Sequence, residues 1–325
     1  MAGESRESPG NNPPATGVTR LAPSPTGALH LGNARTFVLN WVIARQHGWR
    51  IVMRIEDLDM PRTKAGTDQQ AIEDLQWLGM DWDETAPHQL DDLTPYRDAL
   101  SELEQRGLTY PCTCLRSDIR SAQSAPHGDE HELHYPGTCR GLAKPQAAGS
   151  AIRVMIPDEE IGFTDALHGL QTFNVQHHVG DFVVQSKAGL PAYQLAVVVD
   201  DARQGVTDVV RGDDLLSSTA RQLWLYRLLD LPPPPGWLHL PLVLGPDGRR
   251  LAKRHGDTRI AACRAAGINA RRVIGLIAHW SGATDTRCEM TIDELVDAFS
   301  LDALPRGEVT FTADEHAWLM DGCPQ

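Results

Sequence analysis

No apolar run in the 325 residues approaches the length of a helical membrane span, so the chain carries no such span. Residues Met1 to Gly17 lack the apolar segment of a secretion signal and are rich in Gly, Pro, Asn and Ser. They are expected to be a disordered leader, and the cytoplasm is the expected compartment. Cysteine is scarce, six residues with no paired Cys-x-x-Cys spacing, which suits a reduced protein rather than a disulfide scaffold. Cys263, Cys288 and Cys323 show no ligand-like spacing and are expected to serve packing. Positive charge is also short. A net charge of −13 argues against a chain coated with nucleic-acid contacts. No internal repeat is present.

What is there is enough apolar material, 41% of residues, for one large domain or two to three smaller ones. The basic residues are also unevenly placed. Arg249, Arg250, Lys253, Arg254, Arg259, Arg264, Arg271 and Arg272 fall within one stretch against a single acid, Asp257. That stretch is the expected phosphate-gripping segment.

The segment from Arg20 to Asn33 reads Arg-Leu-Ala-Pro-Ser-Pro-Thr-Gly-Ala-Leu-His-Leu-Gly-Asn. Val18 to Ala22 predicts a strand, the prolines and Gly27 a loop, and Ala34, Phe37, Val38, Trp41 and Val42 a helix opening near Asn33. A strand feeding a loop that opens a helix turns free backbone N–H groups toward a polyanion such as a nucleotide triphosphate. His30 and Asn33 add side-chain donors, and Gly32 permits close approach to the backbone.

Further along, Trp49 to Ile55 predicts a second strand ending in Glu56-Asp57-Leu58-Asp59, with its carboxylates in the ligand crevice of an α/β sheet. Thr67 with Gln70 predicts a capping box for a helix closed by Gly79, and Thr94-Pro95 opens another closed by Gly107. This is the first half of a doubly wound domain. Leu108 to Cys114, Ala151 to Ile156 and Asp181 to Gln185 predict strands. Lys187 to Leu190 predicts a turn, with Tyr193 to Asp200 returning as the second strand of a hairpin. Thr207 to Arg211 predicts a strand, Ser217 or Ser218 caps a helix stopped by prolines 232 to 235, and His239 to Leu244 predicts another strand. The tail from Thr258 is expected to be helical.

Cys112 and Cys114, with Cys139 about one loop away, can face a single zinc ion. The fourth ligand would be Tyr135 or His134, of which His134 is the chemical default. The alternative is three buried cysteines in a small lobe.

Arg20 to Gly27 with His30-Leu-Gly-Asn33 resembles the first motif of class I glutamyl-tRNA synthetases. Arg54-Ile-Glu-Asp-Leu-Asp59, Val198-Val-Asp-Asp201, Val210-Arg-Gly-Asp213 and Leu251-Ala-Lys-Arg-His-Gly256 resemble the family's further motifs, in order and spacing, over residues 19 to about 260. The tail to about 320 resembles the start of their helical stem-contact region. The short chain, the Cys-x-Cys and Tyr-x-x-x-Cys pattern and the run Ala192-Tyr-Gln-Leu-Ala-Val-Val-Val-Asp-Asp201 resemble the glutamyl-queuosine tRNA(Asp) synthetase family. In that family the tyrosine is the fourth zinc ligand, which favours Tyr135.

The resemblance implies an α/β fold: a Rossmann-type catalytic domain with an inserted zinc-binding lobe, a short helical stem-contact region and no anticodon-binding domain. The implied divisions are a leader over 1–17, the first catalytic half over 18–107 and the inserted lobe over 108–180. The second catalytic half follows over 181–248, then the lysine loop and stem-contact region over 249–325. It implies an ATP-dependent ligase that activates L-glutamate and transfers it to queuosine in the anticodon stem-loop of tRNA(Asp), acting as a monomer, with one Zn²⁺ per chain and Mg²⁺ with ATP. His30, Gly32, Asn33 and Lys253 would bind ATP, with His30, Asn33 and Lys253 serving catalysis. Arg20, Ala22, Ser24, Glu56, Tyr193 and Arg211 would bind glutamate, the two arginines by a bidentate grip on carboxylates. Cys112, Cys114, Tyr135 and Cys139 would hold zinc. Two departures stand out: Asn33 where the motif has a second His, and Ala252 where the lysine loop has Ser. The alternatives are a truncated glutamyl-tRNA synthetase charging the 3′ end of tRNA(Glu), a silent tRNA-binding paralogue and a nucleotidyltransferase with a His-x-Gly-His-type motif.

Overall fold

The structure, a computed structural model, describes residues 17–59, 66–122, 133–142, 149–249, 251 and 257–321. Strand β1 (Val18–Leu21) leads to helix α1 (Leu31–Gln46), β2 (Arg50–Met53), α2 (Thr67–Trp77), β3 (Glu84–Thr85) and α3 (Thr94–Gln105). β1, β2 and β3 are parallel neighbours in that order. The crossover helices explain why the strands run parallel. α1 buries residues around most of its circumference, from Leu31 to Ala44, because it lies between the sheet and the C-terminal helices. The buried Arg35 ties it there, donating to Pro241 O at 2.7 Å, Ser281 Oγ at 3.3 Å and Trp280 O at 3.3 Å.

The chain then leaves the sheet. β4 (Thr109–Cys112) is followed by α4 (Arg116–Ala122), β5 (Ala151–Val154), the hairpin β6 (Glu160–Asp165) and β7 (Gly169–Asn174), α5 (Val175–His178) and β8 (Val183–Gln185). β4, β5 and β8 form an antiparallel sheet. The β6–β7 hairpin has a buried face of Ile161, Phe163 and Asp165 that packs against the second half of the protein rather than against β4. α6 (Tyr193–Gln204), β9 (Asp208–Gly212), α7 (Leu216–Leu228), β10 (Gly236–Leu240) and β11 (Val243–Leu244) complete that half. β9 and β10 are parallel, and Thr207 N donates to Val18 O at 2.9 Å, so β9 lies beside β1. The two halves therefore meet along β1 and β9, where an α/β sheet opens its ligand crevice. α8 (Ile260–Ala265), α9 (Ala270–Trp280), α10 (Ile292–Ala298), β12 (Val309–Thr310) and α11 (Ala313–Met320) form the tail, and β12 returns to pair with β11.

Several expectations are corrected. Tyr193 to Asp200 is not a hairpin strand. The turn at 186–190 closes as expected, with Ser186 N donating to Leu190 O at 2.8 Å. The return, however, is a single bridge at Pro191, after which α6 begins. Val197, Val198 and Val199 favour a strand by intrinsic preference, but burial of Leu195 through Asp201 lets tertiary packing override it. α2 has no capping box. Gly66 caps it at φ 79°, and the Thr67 hydroxyl instead donates to Pro25 O at 2.8 Å. Leu215, not a serine, precedes α7. The strand expected over 239–244 is broken into β10 and β11. α1 starts at Leu31, ahead of Asn33. Cys263 is buried as expected, whereas Cys288 is exposed and Cys323 lies outside the described residues.

Candidate active site

His30 and Asn33 cap α1 reciprocally. His30 Nδ1 accepts from Gly32 N at 3.2 Å and Asn33 N at 3.3 Å, and Asn33 Oδ1 accepts from His30 N at 2.7 Å. With Nδ1 accepting, the proton of the neutral imidazole is placed on Nε2. A Cβ on Gly32 would lie 3.2 Å from two atoms of the His30 ring, so glycine here leaves room for the capping imidazole itself. The residues after the basic loop are stitched to this motif: Leu31 N donates to Thr258 O and Ile260 N to Leu29 O, each at 2.9 Å. Before the loop, the buried Leu251 donates its N–H to Val243 O at 3.3 Å. Lys253 and Ala252 lie outside the described residues.

Beside this helix end, β1, β2, β9 and α6 converge on a buried cluster of charges. Arg20, 4% exposed, donates from Nη1 to Val210 O at 3.3 Å, and its Nε lies 3.4 Å from Asp201 Oδ1. Arg54 donates to the same Asp201 oxygen at 2.7 Å, to Gln204 Oε1 at 2.8 Å and to Glu56 Oε1 at 3.1 Å. Asp200 accepts from Tyr96 and Gln89. Burial raises the Glu56 carboxyl above the ordinary range, opposed by Arg54 and Arg20. Tyr193 exposes 39% of its side chain, yet its hydroxyl feels Arg211, Glu56 and Arg20, and burial raises its pKa. The structure thus brings Arg20, Glu56, Tyr193 and Arg211 together. Ala22 and exposed Ser24 lie on the loop alongside, where Glu56 N donates to Pro23 O at 3.1 Å.

Arg211 differs from the other two arginines. It is 5% exposed and has no carboxylate partner among the described residues. Its Nε donates to His239 Nε2 at 3.0 Å, and its Nη2 donates to Thr219 Oγ1 at 2.8 Å and Leu215 O at 3.4 Å. Its Nη1 is buried and makes no hydrogen bond. Burial lowers its pKa. With Nε and Nη2 committed, the expected bidentate fork is not presented; the Nη1 edge is. A buried guanidinium lacking its counter-ion is costly, so this site is built to receive an anion.

In the small lobe, the Sγ atoms of Cys112, Cys114 and Cys139 lie within 4.8 Å of one another, with Cys114 and Cys139 3.6 Å apart. Two thiolates on a tetrahedral zinc at about 2.3 Å stand about 3.8 Å apart, so the cluster has the right size. The Tyr135 hydroxyl lies 3.5 Å from Cys112 Sγ and accepts from Cys139 N at 2.8 Å. His134 directs Nε2 to Gln176 O at 3.1 Å and is not among the clustered side chains. Burial raises the Cys139 thiol, but hydrogen bonds from the Thr113 backbone and from Tyr135, Cys114 and Cys112 outweigh it and lower the thiol to about 7. Gly180, at φ 73°, lies where a Cβ would come 2.2 Å from Tyr135 O, so only glycine lets the connection between α5 and β8 pass behind the tyrosine.

The basic stretch is less free than its sequence suggests. Arg264 pairs with the buried Asp74 at 2.9 Å, Arg271 with Glu294 at 3.4 Å, and Arg272 with Glu289 at 3.4 Å, while Arg259 pairs with Asp257. Arg272 also stacks on Trp318 and is largely buried. Arg271 stays exposed, where an ion pair is weak and exchangeable.

Sequence reading missed Arg54 and Asp201 as site residues, although both stand inside the motifs quoted above. It also missed Asp165, Thr219 and His239, which reach Arg211 only through the fold.

The family model described as tRNA synthetases class I (E and Q), catalytic domain, matches residues 17–313. The chain is 48% identical over 319 residues to the Glutamyl-Q tRNA(Asp) synthetase of Symbiobacterium thermophilum, covering 93% of this chain and 98% of that one. It is 35% identical to a glutamate–tRNA ligase of Oleidesulfovibrio alaskensis, covering 93% of this chain but 65% of that one. A crystal structure of a glutamate tRNA ligase from Elizabethkingia meningosepticum, in complex with its amino acid, superposes with a TM-score of 0.76 at 27% identity, covering 93% of this chain and 68% of that one. No helix among the described residues is long and apolar enough to cross a membrane.

Proposed function

The chain belongs to the class I tRNA synthetases for Glu and Gln, and on that premise we propose that it is a glutamyl-Q tRNA(Asp) synthetase. It activates L-glutamate with ATP and transfers it to queuosine at the wobble position of the tRNA(Asp) anticodon. The acceptor follows from the near full-length likeness at 48% identity to a protein of that name. Glutamate as the amino acid is supported by one feature of the site itself, the buried Arg211, whose Nη1 makes no hydrogen bond and which has no carboxylate partner among the described residues.

The α-carboxylate of glutamate attacks the α-phosphorus of ATP, forming the acyl-adenylate as pyrophosphate leaves. This chain's task is to hold two anions in line and stabilise the charge that develops. The N-terminus of α1 faces the phosphates, with His30 fixed by capping, Gly32 admitting that imidazole and the Asn33 amide alongside. Lys253 takes the leaving pyrophosphate, and Mg²⁺ enters with ATP. Glu56 takes the α-ammonium, with Arg20 behind it. Arg211 and the Tyr193 hydroxyl take the side-chain carboxylate, and Ala22 and Ser24 line the approach. Glutamine is rejected because its neutral amide would leave Arg211 buried without a counter-ion. A queuosine hydroxyl then attacks the activated carbonyl, forming an ester and releasing AMP.

Cys112, Cys114, Tyr135 and Cys139 would hold a zinc ion. Bound there, the metal would supply folding free energy to a lobe whose buried cluster, among the described residues, is Tyr110, Cys112, Ile119, Tyr135 and Cys139. The protein acts as a monomer.

The test is transfer of labelled glutamate to tRNA(Asp) with and without queuosine. Queuosine-dependent labelling that persists in tRNA(Asp) lacking its 3′-terminal adenosine is the expected result. Labelling of tRNA(Glu) that periodate abolishes would replace this reading with 3′-end charging.

A further inference from the structure

Arg211 sits at the edge of the proposed glutamate pocket beside Tyr193, and its Nε and Nη2 are held by groups behind it. His239 lies directly beside it on the next strand, since Arg211 on β9 and His239 on β10 are register partners. The imidazole is fully buried. Its Nδ1 is 2.7 Å from Asp165 Oδ2, and its Nε2 accepts from Arg211 Nε at 3.0 Å. Asp165, 1% exposed, comes from the end of β6 in the inserted region. Its Oδ2 also accepts from His239 N at 3.0 Å, and its Oδ1 accepts from Leu167 N and His168 N, each at 2.9 Å.

These contacts leave one proton arrangement. Asp165 is surrounded by donors, so it is an ionised acceptor and His239 must donate from Nδ1. Nε2 then carries a lone pair, which is what an arginine Nε–H requires. Thr219 Oγ1, 3.1 Å from Nε2, accepts from Arg211 Nη2 and closes the triangle. Two of the three guanidinium nitrogens are thereby held, and the third, Nη1, makes no hydrogen bond.

We propose that Asp165 and His239 are positioning residues that hold Arg211 in its glutamate-binding orientation, and that through them the β6–β7 hairpin of the inserted region governs amino-acid recognition. The inference rests on the reading of Arg211 as the side-chain carboxylate partner. It extends the pocket to two residues that never touch glutamate. A serine, alanine or phenylalanine at 239 would leave Arg211 Nε buried without an acceptor, and the guanidinium would be free to rotate.

The full-length protein is tested by glutamate-dependent ATP–pyrophosphate exchange, with KM measured for glutamate and for ATP. His239→Gln offers an amide oxygen near the position of Nε2 and keeps the Arg211 contact. His239→Asn keeps a donor for Asp165 and loses that contact. We expect His239→Asn to raise the glutamate KM by on the order of 10- to 100-fold with the ATP KM within about twofold, and His239→Gln to restore most of the loss. Thr219→Val, a near-isosteric change remote from Asp165, should raise the glutamate KM by on the order of 10-fold and serves if the histidine variants do not fold. A merely structural role predicts equal loss for Gln and Asn, shared between glutamate and ATP, and that outcome overturns the proposal. So does an unchanged glutamate KM in folded His239→Asn or Thr219→Val. Absence of glutamate-dependent exchange in the wild-type protein would instead overturn the functional reading on which the inference stands.

Discussion

Asn33 Oδ1 accepts the backbone N–H of His30 at 2.7 Å while the imidazole of His30 accepts the backbone N–H of Asn33 at 3.3 Å. The motif that opens α1 is therefore held by its own two side chains, and the Asn that departs from the family pattern has a structural task. Asn33→Ala should cost about 1 kcal/mol of stability, the usual value of a cap, and raise the ATP KM. Chemical denaturation and exchange kinetics measure both; an unchanged ATP KM would separate the cap from nucleotide binding.

On the proposed function, glutamate-dependent ATP–pyrophosphate exchange should proceed without tRNA. Lys253→Ala should depress the exchange rate by on the order of 10²-fold or more, with a much smaller change in glutamate affinity, because its contact strengthens in the transition state. Exchange that appears only on adding tRNA would count against the proposed acceptor and for ordinary charging of a 3′ end.

Metal analysis of the purified protein should give one zinc per chain. Cys112→Ser with Cys114→Ser should release it and expose the 108–150 segment to proteolysis, since the lobe's small apolar cluster cannot hold it alone. Tyr135→Phe should weaken zinc retention while His134→Ala leaves it intact, because His134 is engaged with Gln176 O. Full metal content in the double cysteine variant would remove the site.

Burial is the main force holding the His239 imidazole down at about 4, opposed by Asp165 and reinforced by Arg211. The unfolded chain takes up a proton here near pH 6.5, whereas the folded chain does so only near 4. Stability is therefore full above about pH 6.5, declines as pH falls toward 4, and loses roughly 3 kcal/mol at most from this group. Unfolding free energies of wild type and His239→Gln across pH 4 to 7 isolate it. Parallel pH profiles for the two proteins would assign the acid loss elsewhere.

Binding of a queuosine-containing anticodon stem-loop should weaken with salt despite the −13 net charge. Arg271→Glu should weaken it further, since Arg271 is exposed and its pair with Glu294 is exchangeable. Arg272→Glu should instead lower thermal stability, because Arg272 is packed against Trp318. Equal effects of both substitutions on RNA binding alone would contradict the distinction drawn from their burial.

The sequence by itself determined the strand, loop and helix around Arg20 to Asn33, the parallel first half and the grouping of the cysteines. Each of these is written in short-range spacing: an apolar period, a capping pair, or cysteines separated by one residue or one loop. Residues 193 to 200 could not be settled that way, because three valines favour a strand and only their burial on every side makes α6 a helix. Tertiary structure alone decided the state of the charges. The run of arginines looked free until the fold brought Asp74 to Arg264 across 190 positions and Glu294 to Arg271 across 23. It alone joined Asp165 to His239 across 74 positions, and His239 to Arg211 across two neighbouring strands. An ion pair or hydrogen bond depends on a few ångströms of separation and on exclusion of water, and neither quantity exists in a chain until its strands have been laid side by side.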